Sequence, residues 1–356
     1  MNLMGKLFSK RSRSRSKSAG DGRFTRPDLV SVASEAAHGG CGDTKLTVSN
    51  CNVKLQHTDA IASVACYLPG LCLSGSKDMC VLLYNYNSQK VINRWQGHTG
   101  PVTKVCYGSS CKGVFSSSRD KTIKLWEIGN PNFKQDFVGH SLVVTAIHLN
   151  KDNSLLCSGS RDNSVKLWDV ESATCIKTNS IAQNLVTDLK FIPESSLIVQ
   201  TGEDKQVRAF DVRSLQPVFT LPSKQYIQMC CDVSSDGNYV VSSSNGFSGK
   251  GCEVTIWDIR CRKLVKELFG HQEAVEACLF LPGSNAGHVI SASRDCTVKL
   301  WNVPTGVQET QCCFSGSGPL TSLAAYQDGS VLVGSFNQGI HLLTLKDQNF
   351  VQVMYF

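Results

Sequence analysis

The chain has 356 residues, of which 41% are hydrophobic and 18% are charged, so it can bury a substantial core in one large domain or two smaller ones. No run approaches the roughly 18 apolar residues of a transmembrane helix, and no apolar segment follows the basic N-terminus, so we expect neither a membrane span nor a secretory signal. Residues 1–26 contain eight Lys or Arg and one acid, whereas residues 27–356 contain 28 basic and 28 acidic residues. The basic character therefore belongs to the N-terminal segment, and the remainder is neutral.

The N-terminal segment contains MGKLFSKRSRSRSKS at residues 4–18. If translation began at Met4, the product would match the myristoylation pattern M-G-x-x-x-[ST], with Gly5 as the acceptor and Ser9 at the required place. One acyl chain binds membranes marginally, and a neighbouring polybasic run supplies the second signal. We therefore hypothesise a tether to an anionic membrane surface through residues 5–17, which phosphorylation of its serines would release.

Three other interpretations of this segment remain open. The Arg/Ser alternation covers only residues 11–16, which is short for a splicing-type domain, so nucleic acid is not the partner we favour. Residues 10–17 also fit a nuclear signal, and a solvated, disordered end is the third interpretation. We expect residues 1–44 to form a disordered basic Arg/Ser tail and residues 45–356 to fold as one domain.

An internal repeat dominates the rest of the chain. Three nearly superimposable copies are SSSRDKTIKLWE (116–127), SGSRDNSVKLWD (158–169) and SASRDCTVKLWN (291–302). Weaker copies lie at 74–85, 200–211, 242–258 and 334–344. The repeated position before the last residue of each copy is apolar: Tyr84, Trp126, Trp168, Phe210, Trp257, Trp301 and Leu343. A period of about 40–45 residues with short alternating apolar runs predicts a β-propeller with one four-stranded blade per repeat.

These motifs resemble the WD-repeat family over about residues 45–356. The resemblance implies an all-β, seven-bladed WD-repeat propeller that follows the basic tail. The stretches 244–260, 316–324 and 336–343 are close enough to one particular member to suggest a near relative. We expect an N-terminal strand within residues 45–55 to complete the last blade, with residues 349–356 competing for that role.

Four repeats contain a His, a Ser and an Asp before the aromatic residue. The Ser lies four residues before the Asp, and the aromatic residue six after it. The sets are His57, Ser74, Asp78 and Tyr84; His98, Ser116, Asp120 and Trp126; His140, Ser158, Asp162 and Trp168; and His271, Ser291, Asp295 and Trp301. A hydrolase needs one such set, and this one is repeated, so we reject a catalytic role. The resemblance implies structural hydrogen-bond networks, and we expect the fourth, fifth and seventh blades to depend more on apolar packing.

The resemblance also implies a partner-binding rim on the face of the ring that carries the repeat turns. The residues before the turn Asp are Lys77, Arg119, Arg161, Glu203 and Arg294. Further positions on this rim are Ala60, Ala62, Pro101, Thr103, Val143, Thr145, Ala274 and Glu276. Four basic heads around one rim would suit an acidic peptide, since Arg binds carboxylates with two parallel hydrogen bonds.

The fifth repeat carries an insert, NGFSGKG, at residues 245–251. Its glycines and Lys250 do not match a phosphate-binding loop, which requires G-x-x-x-x-G-K-[ST] before a helix. We expect a long, flexible turn whose tip, Phe247, contacts a partner.

Two short motifs, FDVR (210–213) and WDIR (257–260), end consecutive repeats. They resemble the box by which some propellers dock on the adaptor of cullin-type ubiquitin ligases, with Arg213 and Arg260 as docking residues.

The 17 cysteines include no C-x-x-C pair, so we expect reduced core thiols and no metal site. No cofactor is expected. The leading hypothesis is a non-catalytic scaffold in the cytoplasm, tethered to membranes and acting in trafficking or ciliary assembly. The alternatives are a ubiquitin-ligase substrate receptor and an RNA-associated protein, and a nuclear location is less expected.

Overall fold

The computed structural model describes residues 44–46, 56–284, 286–337, 339–346 and 349–356. Gly5 and the basic run, with nearly all of the predicted tail, lie outside these residues. The described part belongs to one compact unit, residues 42–356. It contains strands and no helix, so nothing in it has the length and hydropathy of a membrane-spanning helix.

The strands form seven sheets, each with four antiparallel strands that are consecutive in the chain, and these are the predicted seven blades. Blade 1 contains β2 (Ile61–Leu68), β3 (Leu71–Ser76), β4 (Cys80–Asn85) and β5 (Lys90–Gln96). Blade 2 contains β6 (Val102–Gly108), β7 (Gly113–Ser118), β8 (Thr122–Glu127) and β9 (Phe133–Val138). Blade 3 contains β10 (Val144–Leu149), β11 (Leu155–Ser160), β12 (Ser164–Asp169) and β13 (Cys175–Ser180).

The remaining blades follow the same order. Blade 4 contains β14 (Val186–Phe191), β15 (Leu197–Gly202), β16 (Val207–Asp211) and β17 (Pro217–Thr220). Blade 5 contains β18 (Gln228–Val233), β19 (Tyr239–Ser244), β20 (Val254–Asp258) and β21 (Lys263–Leu268). Blade 6 contains β22 (Val275–Phe280), β23 (His288–Ser293), β24 (Thr297–Asn302) and β25 (Gln308–Phe314). Blade 7 contains β26 (Leu320–Ala325), β27 (Val331–Ser335), β28 (Ile340–Lys346) and β29 (Asn349–Tyr355).

The third strand of each blade is buried on both faces because a neighbouring blade covers each face. In β8, Ile123, Leu125 and Trp126 are buried, and so is Lys124 between them. The Lys124 ammonium is compensated by Asp136, 3.0 Å away, and by the Phe133 ring. Alternation along the strand therefore selects which neighbouring blade a side chain contacts rather than whether it is buried.

The turn between the second and third strands has the same geometry in five blades. The residue after the turn Asp has a positive φ of 62–74° at Met79, Lys121, Asn163, Lys205 and Cys296. The Asp Oδ1 accepts the backbone N–H two residues later, as in the 3.0 Å bond from Cys80 N to Asp78. This combination fits a type I turn followed by a left-handed residue, and it explains the turn Asp that the sequence predicted.

Ring closure was expected from one of two segments, and residues 47–55 of the N-terminal candidate lie outside the described residues. The C-terminal strand β29 is the fourth strand of blade 7, so every blade is built from its own consecutive strands. The N-terminal strand β1 (Thr44–Leu46) instead pairs in parallel with β25, as a fifth strand on blade 6. Blades 7 and 1 join through a core that includes Tyr84, Tyr326 and Phe356, and Thr321 Oγ1 donates to Ile61 O at 2.7 Å.

Candidate protein-interaction surfaces

In four blades the predicted His, Ser and Asp are brought together. The His Nδ1 lies 2.7–2.9 Å from the Asp Oδ2, and the His Nε2 lies 2.7–2.8 Å from the Ser Oγ. In blades 2, 3 and 6 the Trp Nε1–H donates to the same Ser Oγ at 2.7–2.8 Å. In blade 1, Tyr84 takes the Trp position and stacks on Phe356, with ring centroids 4.6 Å apart. The donor order Trp, Ser, His, Asp gives each of these side chains a hydrogen-bond partner within its network.

This arrangement does not suit catalysis. All four Ser side chains are buried, and in three blades the Oγ is held between a His ring and a Trp indole. The Asp carboxylate also accepts a hydrogen bond from the backbone N–H of the residue after the His. In blade 2 this bond runs from Thr99 N to Asp120 Oδ2 at 3.0 Å. No substrate carbonyl can reach such a serine, so the networks stabilise the blades.

The networks also fix protonation. Burial alone would raise the carboxyl pKa of Asp162, but hydrogen bonds from Ser164, Ser141 N–H and His140 lower that pKa to about 2. The carboxyl pKa values of Asp78, Asp120 and Asp295 are likewise held well below their usual range, since hydrogen bonds outweigh burial. Burial lowers the pKa of His140 and His271 despite the adjacent carboxylates. The aspartates are therefore ionised at neutral pH.

Blade 4 replaces the network with a different polar cluster, which the sequence did not predict. Gln200, in the Ser register, exchanges amide hydrogen bonds of 3.0 and 3.1 Å with Asn184. Arg208 donates to Asn184 Oδ1 at 3.2 Å and to Asp204 Oδ2 at 2.5 Å. Because the Phe210 side chain, unlike a Trp indole, has no N–H, this blade needs no Ser acceptor. Blade 4 therefore contains a polar cluster in addition to the apolar packing on which we expected it to depend more.

Blade 5 likewise contains a polar cluster. Trp257 donates to Ser242 Oγ at 2.9 Å, and Ser242 donates to Gln228 Oε1 at 2.7 Å. Gln228 Nε2 donates to Ser244 Oγ at 3.0 Å, and Ser244 donates to Glu253 at 3.1 Å. Lys224 lies 3.1 Å from Glu253 and also pairs with Glu267. In blade 5 the Gln228 amide thus takes the place of the His, and the Lys224–Glu253 ion pair takes the place of the Asp.

Blade 7 depends on aromatic packing. His341 is buried, with its ring centroid 4.4 Å from that of Phe314 and 4.6 Å from that of Tyr355. Within the described residues, neither ring nitrogen has a hydrogen-bond partner. Burial lowers the pKa of His341 to about 4, so the ring is neutral at pH 7.

Two of the four basic rim residues are compensated by ion pairs within the ring. Lys77 lies over the Phe336 ring, 4.3 Å from its centroid. Arg161 pairs with Glu203, and Arg294 pairs with Glu276. Arg119 is exposed, and the described residues provide it with no ion pair. Among the described residues, the rim therefore presents two cations without an ion pair, Lys77 and Arg119, rather than four.

The rim threonines tie blades together instead of facing a partner. Thr103 Oγ1 donates to Val144 O at 2.5 Å, and Thr145 Oγ1 donates to Val186 O at 2.6 Å. Thr187, which the sequence did not single out, makes the same bond to Gln228 O at 2.6 Å. Only the spacing of 42 residues between these threonines could have revealed their common role.

The innermost strands line a central cavity of about 570 Å³. Its charges occur as pairs, with Lys104 3.1 Å from Asp188 and Lys190 3.6 Å from Asp232. Burial raises the thiol pKa of Cys106, which also lines the cavity, to about 12. No group of three or more potential ligands in the described residues is placed to hold a metal ion. The charges that line the cavity thus balance, and the Cys106 thiol is protonated at neutral pH.

The insert of blade 5 is a pinned hairpin rather than a flexible turn. Phe247 N donates to Lys250 O at 2.9 Å, Lys250 N donates to Phe247 O at 3.1 Å, and Gly249 N donates to Gln272 O at 2.8 Å. Ser248 and Gly249 both have positive φ, as a type I′ turn requires. Phe247 is 71% exposed. The backbone of the insert is thus held by hydrogen bonds, and the Phe247 side chain projects from it into solvent.

The two predicted docking arginines lie in equivalent turns. Arg213 follows β16 and Arg260 follows β20, so both lie between the third and fourth strands of adjacent blades, and both are exposed. Arg260 is engaged with Asp258 at 2.7 Å and with the Tyr239 ring.

Comparison with known proteins finds WD-type repeats in four segments of the chain. Four segments match the family described as WD domain, G-beta repeat, at residues 89–127, 131–169, 215–258 and 262–302. Each segment joins the outer strand of one blade to the first three strands of the next.

Curated relatives match over single stretches. A U3 snoRNP-associated protein-like EMB2271 of Arabidopsis thaliana is 32% identical over 30% of this chain and 20% of its own length. The human WD repeat-containing protein 36 is 34% identical over 19% of this chain and 7% of its own length. The mouse cilia- and flagella-associated protein 52 is 27% identical over 21% of this chain and 12% of its own length. The matches thus span a fifth or less of the length of these relatives.

Proposed function

We propose that this seven-bladed propeller, four segments of which match WD repeats, is a non-catalytic scaffold that binds other proteins through its exposed rim. The observation that carries this proposal is that the repeated Ser, His and Asp groups are buried and hydrogen-bonded to one another. The polar residues that could suggest an enzyme stabilise the blades. What remains for function is the surface of a rigid ring.

The binding face in this proposal is the one with the turn Asp residues. It combines the pinned Phe247, with 71% of the residue exposed, and the uncompensated Arg119. Aromatic and Arg side chains are typical anchors of protein interfaces. The backbone of the insert is already hydrogen-bonded, so little of its entropy is lost on binding. An acidic peptide remains a candidate partner, with Arg119 as its main contact.

The finer proposals concern the cellular location of the protein and its relationship to a particular WD-repeat protein. The segments SNGFSGKGCEVTIWDIR, GSGPLTSLA and FNQGIHLL resemble WD repeat-containing protein 31, and we include a close relationship with it in the proposal. A membrane tether at Gly5, a cytoplasmic location and a role in trafficking or cilia also belong here. The partial match to a cilia- and flagella-associated protein is in keeping with a ciliary role.

The test is affinity purification of the tagged full chain, compared with a Phe247→Ala/Arg119→Glu variant and a variant with the six basic residues of 5–17 changed to Gln. Partners lost only in the first variant belong to the ring, and those lost only in the second belong to the tail. An unchanged partner list in the first variant would contradict the rim assignment. Mass spectrometry of the cellular N-terminus tests Gly5, and an unmodified Met1 or Asn2 terminus would end the tether hypothesis.

A second candidate is a substrate receptor of a cullin-type ubiquitin ligase. It is favoured by the equivalent, exposed positions of Arg213 and Arg260 on adjacent blades. An Arg213→Ala/Arg260→Ala variant should lose the ligase adaptor and keep the rim partners. Absence of all cullin machinery from the wild-type purification would exclude this candidate. The RNA-associated alternative depends on the tail, and a strongly salt-dependent RNA affinity that the Gln variant loses would support it.

A further inference from the structure

The central cavity is balanced in charge but not in hydrogen bonding. Lys190 Nζ lies 3.6 Å from Asp232 Oδ1, which is longer than an N–H···O hydrogen bond. Among the residues that the structure describes, none accepts a hydrogen bond from this ammonium group, and the Lys190 side chain is 25% exposed in the cavity. An ammonium group has three N–H donors, so Lys190 has all three available to a ligand.

His148 adds a further donor to the same cavity. Its Nδ1 accepts a hydrogen bond from Phe191 N at 3.1 Å. Burial and the nearby ammonium groups of Lys190 and Lys104 hold the pKa of His148 well below its usual range, so the ring is neutral. A neutral imidazole whose Nδ1 is an acceptor carries its proton on Nε2, and no described residue accepts a hydrogen bond from that atom.

The carboxylates of the cavity are mostly engaged with other donors. Lys104 Nζ lies 3.1 and 3.2 Å from the two oxygens of Asp188, and the Cys230 thiol donates to Asp188 Oδ2 at 3.2 Å. Asp232 Oδ2 accepts a hydrogen bond from Phe280 N at 3.0 Å. The remaining oxygen, Asp232 Oδ1, has only the long ion pair. Unused donors therefore outnumber unused acceptors in this part of the cavity.

Two other strands contribute apolar side chains to the same cavity. They are β22, with Ala277 and Leu279, and β26, with Leu323 and Ala324. The volume of about 570 Å³ is within the range of small-molecule sites, which typically combine apolar walls with a few converging polar groups. The cavity therefore has the size and the lining of a site for a small amphipathic molecule.

We propose that the central cavity binds a small organic carboxylate, whose oxygens accept hydrogen bonds from Lys190 Nζ and His148 Nε2 and whose apolar part lies against β22 and β26. A carboxylate supplies the acceptors that these donors lack, and hydrogen bonds from an ammonium group to a carboxylate are among the strong ones. Little is lost in exchange, because the ion pair of Lys190 with Asp232 is long. This site is separate from the rim, so it does not depend on the proposed protein partners.

The test is isothermal titration calorimetry of the full chain with hexanoate and benzoate, and with hexanamide and benzamide as uncharged counterparts. We expect saturable binding of a carboxylate and much weaker binding of its amide. Lys190→Gln should weaken carboxylate binding on the order of tenfold. Asp232→Asn keeps an acceptor for Phe280 N–H and removes the competing carboxylate, so it should strengthen binding several-fold. The control is Lys263→Gln, since Lys263 is exposed on the outer strand β21 and should not matter.

Four results would overturn the proposal. The first is the absence of saturable binding of both carboxylates to the wild type. The second is equal affinity for the carboxylates and their amides, and the third is equal effects of Lys190→Gln and Lys263→Gln. The fourth is binding of inorganic phosphate as tight as that of the carboxylates, which would mean that the apolar side chains contribute nothing. Melting temperatures check folding, and if Lys190→Gln does not fold, the gain expected for Asp232→Asn decides.

Discussion

Gln228 accepts a hydrogen bond from Ser242 Oγ at 2.7 Å, a bond that Ser makes with a histidine ring in four other blades. The indole N–H of Trp257 donates to the same Ser242 Oγ at 2.9 Å. Blade 5 thus keeps two features of the network: the Ser hydroxyl has an acceptor, and the Trp indole N–H donates to that hydroxyl. A histidine ring is one possible acceptor, and the Gln228 amide oxygen is another.

The first prediction concerns this chain of bonds. Gln228→Ala leaves the buried Ser242 hydroxyl without its acceptor, so we expect a loss of about 1–3 kcal/mol in the free energy of unfolding. Ser243→Ala is the matched control, because Ser243 Oγ is buried without a hydrogen-bond partner. Urea denaturation compares the two, and a Ser243→Ala loss as large as that of Gln228→Ala would contradict the prediction.

The second prediction concerns acid stability. The folded chain holds the pKa of His341 at about 4, below the ordinary value of 6.5. The unfolded state therefore binds the proton more readily between these values, and stability falls as the pH drops from 6.5 towards 4. The loss in unfolding free energy due to His341 reaches about 3 kcal/mol near pH 4.

The test of this prediction uses His341→Phe, which keeps an aromatic ring between Phe314 and Tyr355 and removes the titration. Unfolding free energies of the variant and the wild type are compared at pH 7.5 and at pH 5. The variant should lose less stability than the wild type on acidification. Parallel losses in both proteins would show that other groups carry the acid dependence.

The third prediction concerns the rim charges. Glu203 compensates Arg161, so Glu203→Ala adds Arg161 to the rim cations that have no ion pair, which include the exposed Arg119. A glutamate-rich, fluorescein-labelled peptide should bind Glu203→Ala several-fold more tightly than the wild type and Arg119→Ala more weakly. Fluorescence anisotropy at low and moderate salt measures both. No difference between the variants would remove the acidic-peptide interpretation.

The fourth prediction concerns the insert. Phe247 is 71% exposed, so Phe247→Ala should change the unfolding free energy by less than about 0.5 kcal/mol. Recovery of rim partners in affinity purification should nevertheless fall strongly. Val218→Ala, at a 49% exposed position on the outer edge of blade 4, is the control and should leave recovery unchanged. Equal recovery by both variants would exclude Phe247 as an anchor.

The sequence by itself determined the propeller, its seven blades and the four His, Ser, Asp and aromatic sets. These follow from spacing, since a 42-residue period places equivalent side chains at equivalent points of successive blades. The turn Asp was predictable for the same reason, because its carboxylate bonds a backbone N–H only two residues away.

Only the tertiary structure decided which hydrogen-bond and ion-pair partners the buried polar groups of the remaining blades have. It also decided how the ring closes. Asn184 and Gln200, or Lys224 and Glu253, are far apart in sequence and carry no repeated pattern, so their pairing depends on the packed sheets. The compensation of Arg161 by Glu203 joins two adjacent blades in the same way. Closure by β29 rather than β1 was open because both segments are apolar enough to form strands, and the choice is made by which edge each one reaches.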